Sequence, residues 1–598
     1  MRALTLAVFG LTIVTLAGGD EAVVKHSDVV FMGPKSVDVY KAYGATMVSW
    51  GGGAASEAPK DVASFAQRVK DAHDLGIRYC AGLAFRTAFA RMIDFDPNFL
   101  ESVCRNLKGE PITVPWLWDL NHKGHPAYWF CTNAPGYRKY LLYQCKNAMA
   151  TQVEGLHIDD YNGTAGTESQ GGCFCPHCMA AFREYLKSHL SAERLAQLKI
   201  GSLDGFDYGA WLTGQGITDD DFRKKVRSGL PLGEEFLTFQ YRAAAEWVGE
   251  VRKYAEGLAG HPLMLSVNSS ASGPGSLVIA PQLSYFCGEV GHDAGTLKVS
   301  YSPIFTYKLG DALQRPQVCT GAGQDWALID ERKLPGLVRT WIAQSYAFGH
   351  QLMCPHRQWA YTAQKGTHWY QSQPSDYAWM YQFVRSHAAL FDGFEAVAPV
   401  GVVYSNAAFR KGKTAARNVC LELAQRNIPF RVLIAGDDWL DVRLKPEDLV
   451  GLRAIIVTPP MELDAQQQAV LDSAADRIVT WPDEARLQAL APSPITVEGA
   501  SNVTVVPRAP AGDDSAPMVC HLVNRNYVAE TDSCTPQTNL TVTLSRWLTG
   551  PRPVTAATLL APNKEPVRLD VAGVGDATRI PVPELGEWAI LRISRGDK

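Results

Sequence analysis

Gly155-Leu156-His157-Ile158-Asp159-Asp160-Tyr161, followed shortly by Gly172-Cys173-Phe174-Cys175-Pro176-His177-Cys178-Met179-Ala180-Ala181-Phe182-Arg183, decides how the rest of the chain is read. The first piece is a short apolar run ending in two carboxylates, the pattern of a buried parallel strand whose C-terminal end faces a site. Neighbouring side chains on an extended segment point to opposite faces, so one of Asp159 and Asp160 enters that site. The second piece places three thiols ahead of an amphipathic run, one short of the four ligands of a closed tetrahedral zinc site. Cys131, upstream in Tyr128-Trp129-Phe130-Cys131-Thr132-Asn133-Ala134-Pro135-Gly136-Tyr137-Arg138, is available as the fourth. The same cysteines would also allow one or two disulfides.

Working outward, short apolar runs alternate with longer amphipathic stretches, which is the signature of strand-helix units on a parallel sheet. The expected strands are 29–32, 46–50, 79–84, 156–159, 263–267, 283–287, 317–320 and 351–354, enough for a (β/α)8 TIM barrel over 20–395. Val62, Phe65, Val69, Ala72 and Leu75 recur at helical spacing, with Gly76 as a stop, so one outer helix is expected there. Residues 190–235 read as an insertion before an amphipathic helix at 236–258. A small α/β (Rossmann-like) unit is expected over 396–490, with strands at 400–404, 430–434 and 454–457 and helices at 415–426 and 464–475. Past residue 491, period-two runs rich in Val and Thr predict a β-sandwich over 491–598.

The chain has 598 residues, 46% hydrophobic and 20% charged, too many for a single ordinary core. A formal net charge of −4 makes no electrostatic case for nucleic acid or an anionic membrane surface, and a neutral oligo- or polysaccharide partner fits better. Arg2, the apolar run 3–16 and Ala17-Gly18-Gly19 read as a signal peptide, 1–19, too short to span a bilayer; a secreted or periplasmic protein is expected. The count of 13 cysteines is odd, so at least one thiol is free or bound to metal. No G-x-S-x-G elbow, Walker loop or H-E-x-x-H helix is present, and the α/β unit lacks G-x-G-x-x-G.

The cysteine segments resemble those of the glycoside hydrolase family 42 β-galactosidases and their relatives. That family pairs a Cys-x-x-Ser-Pro-x-Tyr-Arg segment with a later C-x-C-x-x-C-x-x-x-Phe-Arg segment. The resemblance continues through 335–350 and Arg357-Gln358-Trp359. It implies a structural zinc on Cys131, Cys173, Cys175 and Cys178, a homo-oligomer formed through the α/β unit, and a sugar substrate of the galactose or fucose kind. The family's two catalytic glutamates are not matched. Tyr161 stands where the acid/base would be, and Cys319-Thr320-Gly321-Ala322-Gly323-Gln324-Asp325-Trp326 holds no Glu.

Glycoside hydrolysis needs two carboxyl groups flanking the anomeric carbon. The candidates are Asp160 or Asp159 on the fourth strand and Glu289 after the sixth, with Asp325 in reserve. Such a pair resembles the arrangement of several retaining α-glycosidase families, with the Asp as nucleophile and the sixth-strand residue as acid/base. Sugar contacts are expected from Trp50, Arg86, Trp116, Trp118, His157, Asn268, His356, Arg357 and Trp359, all at or beyond expected strand ends. The expected function is an exported, exo-acting glycosidase; the alternative is a carbohydrate-binding relic of a glycosidase barrel.

Overall fold

A computed structural model describes residues 23–53, 58–83, 89–159, 161–513 and 516–596. The segment expected as a signal peptide lies outside them, as do Arg86 and Asp160. Among the described residues, no helix is long and apolar enough to cross a membrane.

Among the described residues, eight short parallel strands organise the first two thirds. Five form one sheet in chain order: β1 (Val30–Met32), β2 (Met47–Ser49), β3 (Arg78–Leu83), β4 (Gly155–Ile158) and β5 (Met264–Val267). Three more, β6 (Glu289–Val290), β7 (Val318–Gly321) and β8 (Gln351–Leu352), form a second parallel sheet with β7 in the middle. The amide of Cys354 donates to the Val30 carbonyl at 2.8 Å, and that of Ser284 to the Leu265 carbonyl at 2.8 Å. The segment just after β8 thus touches β1, and the segment ahead of β6 touches β5.

Alternation explains why the strands read as continuous apolar runs. Val30, Met32, Met47, Cys80, Met264, Tyr285, Cys287, Val318 and Met353, drawn from both sheets, pack together in one interior cluster. Val29, Phe31, Val48, Tyr79, Leu156, Ile158, Leu265 and Val267 face the other way, into the core shared with the helices. Both faces of a parallel sheet are covered, so both must be apolar. The helix expected near 62–75 spans Pro59–His73 and buries Phe65, Val69 and Ala72. The insertion folds as three short helices, Ala192–Gln197, Tyr208–Gly214 and Asp219–Lys225, ahead of the 27-residue helix Gly233–Ala259.

One strand departs from expectation. Residues 283–287 form no regular strand, joining their neighbours through single contacts such as Ser284 N–H to the Leu265 carbonyl and an isolated bridge at Phe286, and the paired strand is Glu289–Val290. Gly288 is the cause: a Cβ there would stand 2.5 Å from the Ser269 carbonyl carbon. The chain is pressed against the turn after β5, and regular pairing resumes only beyond that contact.

Beyond the strand-helix region, four parallel strands run in the spatial order Phe430–Ala435, Val400–Ser405, Ala454–Val457, Ile478–Thr480. Helices Ala416–Gln425 and Ala465–Asp472 lie between them in sequence. Among the described residues, the C-terminal part holds two larger antiparallel sheets, of six and four strands, and a small two-stranded one, Tyr527–Val528 with Ser533–Cys534. Val505 and Leu522 of the first and Leu540, Val542, Ile580 and Val582 of the second share one apolar core. Phe394–Ala396 pairs with Val503–Pro510, so the six-stranded sheet takes an edge strand from ahead of the α/β layer.

Candidate active site

The C-terminal ends of the parallel strands open into a cleft of about 450 Å³. His157 and Asp159 are two positions apart at the end of β4 and so share a face. His157 is fully buried, its Nδ1 2.9 Å from Ser266 Oγ and its ring 4.4 Å from that of Trp50. Burial pushes its pKa down to about 3, so it is neutral at any working pH. Expected as a sugar contact, it instead supports the floor beneath Trp50. One step further out, Asp159 reaches the cleft, and Asn268 Nδ2 donates to its carboxylate at 2.9 Å.

Glu289 enters the same cleft from β6. Burial, then the negative charges of Asp159 and Asp325, raise its pKa to about 8. A carboxyl beside two carboxylates keeps its proton because ionising it would place three like charges in a poorly solvated space. Asp325 is no cleft residue. Its carboxylate accepts the backbone N–H groups of His292 at 2.7 Å and Ala294 at 2.9 Å, which holds the loop after β6. Its neighbour Gln324 lines the cleft instead.

Aromatic rings make the walls: Trp50, Trp116, Trp359, Tyr361 and Trp369. Trp50 sits at φ 58°, in the left-handed region that side-chain-bearing residues rarely adopt. Trp359 and Tyr361 lie on β9 (Arg357–Thr362), and Trp369 on its antiparallel partner β10 (Gly366–Gln371), directly opposite Trp359. Trp359 can lie where it does because residue 323 is glycine; a Cβ there would stand 2.3 Å from the indole.

The structure disperses the other expected sugar contacts. Trp118 is 57% exposed and outside the lining, which uses Pro115, Trp116 and Leu117 from that segment. Arg357 stacks on the Trp369 ring at 4.1 Å, outside the lining, and His356 Nε2 lies 3.3 Å from Gln371 Nε2. Both belong to the hairpin's support. Sequence reading missed Met32, Gln324, Tyr361 and Trp369; the alternation Trp359-Ala360-Tyr361-Thr362 followed by Gly366-Thr367-His368-Trp369 is the signal that could have revealed the hairpin.

Glu289 also borders a second cavity of about 530 Å³, which includes Ser270, Asp293 and Ser302 and, from the α/β layer, Phe409 and Arg417. The carboxyl thus stands at the junction of two spaces.

Cys131, Cys173, Cys175 and Cys178 are buried, with all four Sγ atoms within 4.8 Å of one another. Two backbone N–H groups and an amide point at them: Asn133 N to Cys131 Sγ, Cys178 N to Cys175 Sγ, and Asn133 Nδ2 to Cys178 Sγ, each 3.4 Å. No disulfide joins any of the 13 cysteines in the structure. Tetrahedral thiolates at the Zn–S length of about 2.3 Å would be about 3.8 Å apart, so this donor set fits zinc.

No protein-family model matches the chain. It is 25% identical to an alpha-agarase of Thalassotalea agarivorans over 96% of this chain and 40% of that protein. An alpha-agarase of Alteromonas agarilytica is likewise 25% identical, over 93% of this chain and 40% of its own length. The chain therefore spans less than half the length of the curated relatives it matches. Among solved structures, the alpha-L-fucosidase isoenzyme 2 of Paenibacillus thiaminolyticus superposes with a TM-score of 0.58 at 11% identity, over 96% of this chain and 100% of that one. A β-galactosidase from Bacillus circulans sp. alkalophilus gives 0.58 at 11%, over 95% and 99%. What these share with this chain is the fold.

Proposed function

We propose that this chain is a glycoside hydrolase that cleaves a galactan-type polysaccharide, with Glu289 as general acid and Asp159 as the opposing carboxylate. The observation that carries the reading is a pair of carboxyl groups, one held protonated at neutral pH, between aromatic walls at the C-terminal ends of parallel strands. The alpha-agarase relatives support a substrate of the agar kind. In the retaining course, Asp159 attacks the anomeric carbon while Glu289 passes its proton to the departing glycosidic oxygen. The Glu289 carboxylate then takes a proton from water, whose oxygen attacks the same carbon and releases Asp159. Asn268, donating to Asp159, orients the attacking oxygen. Space on both sides of Glu289 favours cleavage within a chain over the terminal cleavage expected from sequence.

The reading includes closure of the two parallel sheets into a (β/α)8 barrel related to the family 42 enzymes, with the α/β and β-sandwich units beginning near residues 396 and 491. It also includes a structural zinc on the four cysteines, with no position left open for substrate, and export directed by residues 1–19. The test is hydrolysis of agar oligosaccharides and a panel of aryl glycosides by the chain and its Glu289→Gln, Asp159→Asn and Asp160→Asn variants. Loss of turnover by about 10²–10⁴-fold is expected for the first two. Full activity of Glu289→Gln would overturn the assignment, as would loss confined to Asp160→Asn. Sugar binding without turnover of any substrate would make the chain a carbohydrate-binding protein.

A further inference from the structure

A third cavity, of about 540 Å³, opens where the segment after Glu289 meets the C-terminal sheets. Lys298, Tyr301, Asn502, Arg525, Asn526 and Gln537 are among its lining residues. The charged members of that lining are both cations, and no carboxylate joins them.

Arg525 is 7% exposed and stacks on the Tyr301 ring at 3.5 Å. One terminal nitrogen donates to Gln344 Oε1 at 2.6 Å and the other to the Val299 carbonyl at 2.7 Å, while Nε has no partner. Burial lowers its pKa only to about 10, which leaves it charged at neutral pH. A guanidinium out of water, satisfied only by neutral oxygens, is an incomplete arrangement that an anion completes. Lys298, exposed at the same cavity, forms no ion pair among the described residues. The side-chain amides of Asn502 and Gln537 each spend one N–H inside the protein, on Asn526 Oδ1 and the Thr535 carbonyl, and keep a second suited to sugar hydroxyls and anionic oxygens.

We infer that this cavity is a second saccharide-binding site, separate from the cleavage site, which recognises an anionic group on the sugar: a sulfate ester or a uronate carboxylate. Its position suits a polymer leaving the cleft. Asp293 and Ser302 line the cavity beside Glu289, and Lys298 and Tyr301, on the segment between them, line this one. The inference rests on the proposed function only for the saccharide that carries the anion.

The experiment uses the full chain with Glu289→Gln, so that binding is read without turnover and independently of whether the chain hydrolyses anything. A sulfated galactan, a polyuronate and neutral agarose are compared by affinity electrophoresis at constant ionic strength. At least one charged polymer should bind about tenfold more tightly than agarose, and which one does so identifies the anion. Inorganic sulfate, unlike an equal ionic strength of chloride, should compete with that polymer. Lys298→Glu should remove the tenfold advantage and leave agarose binding unchanged. Arg525→Gln cuts the contacts to Gln344 and Val299 and risks the fold, so Asn502→Asp, which puts a negative charge in the lining, serves as the second variant and should have the same effect as Lys298→Glu. Equal binding of all three polymers, absence of sulfate competition, or indifference to both variants would overturn the site.

Discussion

Glu289 shows how a residue's chemistry is set by its neighbours. Its pKa of about 8, against an ordinary value of 4.5, comes first from burial and then from Asp159 and Asp325. In the proposed mechanism its protonated form is the active one, so kcat/KM should fall as pH rises through about 8. The same shift ties stability to pH. The folded chain holds this proton more firmly than the unfolded chain does, so the contribution is fully present below about 4.5 and is lost as pH rises through about 8. Glu289→Gln should therefore melt at the same temperature as the parent near pH ~4 and a few degrees higher near pH ~9, measured by calorimetry. An unchanged difference across that range would show that the carboxyl is not held protonated. Sequence reading could place Glu289 beside a strand end because strand ends are local features. It could not tell that Asp325, an equally good carboxylate in one dimension, is occupied by the backbone amides of His292 and Ala294.

At the scale of elements, the cysteine cluster links three segments: the turn before helix Pro135–Met149, the start of helix Pro176–His189, and helix Gly233–Ala259, whose Gln240 donates to the Cys173 carbonyl at 3.2 Å. Cys175 also caps the second of these helices, accepting from Cys178 N. A metal there would hold the segment after β4, and with it Asp159. The expected outcome is about one zinc per chain by elemental analysis, with chelation lowering the melting temperature by several degrees. A metal-free chain of unchanged stability would remove zinc from the account. The thiol spacing was legible because three of the four ligands lie within six residues. The β9–β10 hairpin was not, although it brings Trp359, Tyr361 and Trp369 to the cleft. Its strands sit where the pattern of barrel units ends, so Arg357 and Trp359 read as contacts at or beyond the last strand end and the strand pair goes unrecognised.

Across the whole molecule, the C-terminal sheets complete the strand-helix region as well as covering it. Asp532, in a C-terminal turn, accepts the backbone N–H groups of Gly336 at 2.7 Å and Leu337 at 3.3 Å, capping helix Pro335–Ala347 from a distant part of the chain. Buried Arg508 donates to the carbonyls of Phe348 and Phe394, and Trp588 packs its ring against Tyr346, Phe383 and Phe391. Asp532→Ala should cost about 1 kcal/mol, read as a lower urea midpoint at unchanged slope. A second, earlier transition would show instead that the layers unfold separately. The amino-acid sequence by itself determined the alternation of strands and helices, the change to antiparallel strands near the C-terminus and the clustering of thiols, since each is written in periodicity or spacing over a few residues. Only the tertiary structure decided which carboxylates share a cleft, which aromatics wall it and which cations lack a counter-charge. Those properties arise between groups far apart in the chain, where burial and Coulomb interaction depend on distance through space rather than along the sequence.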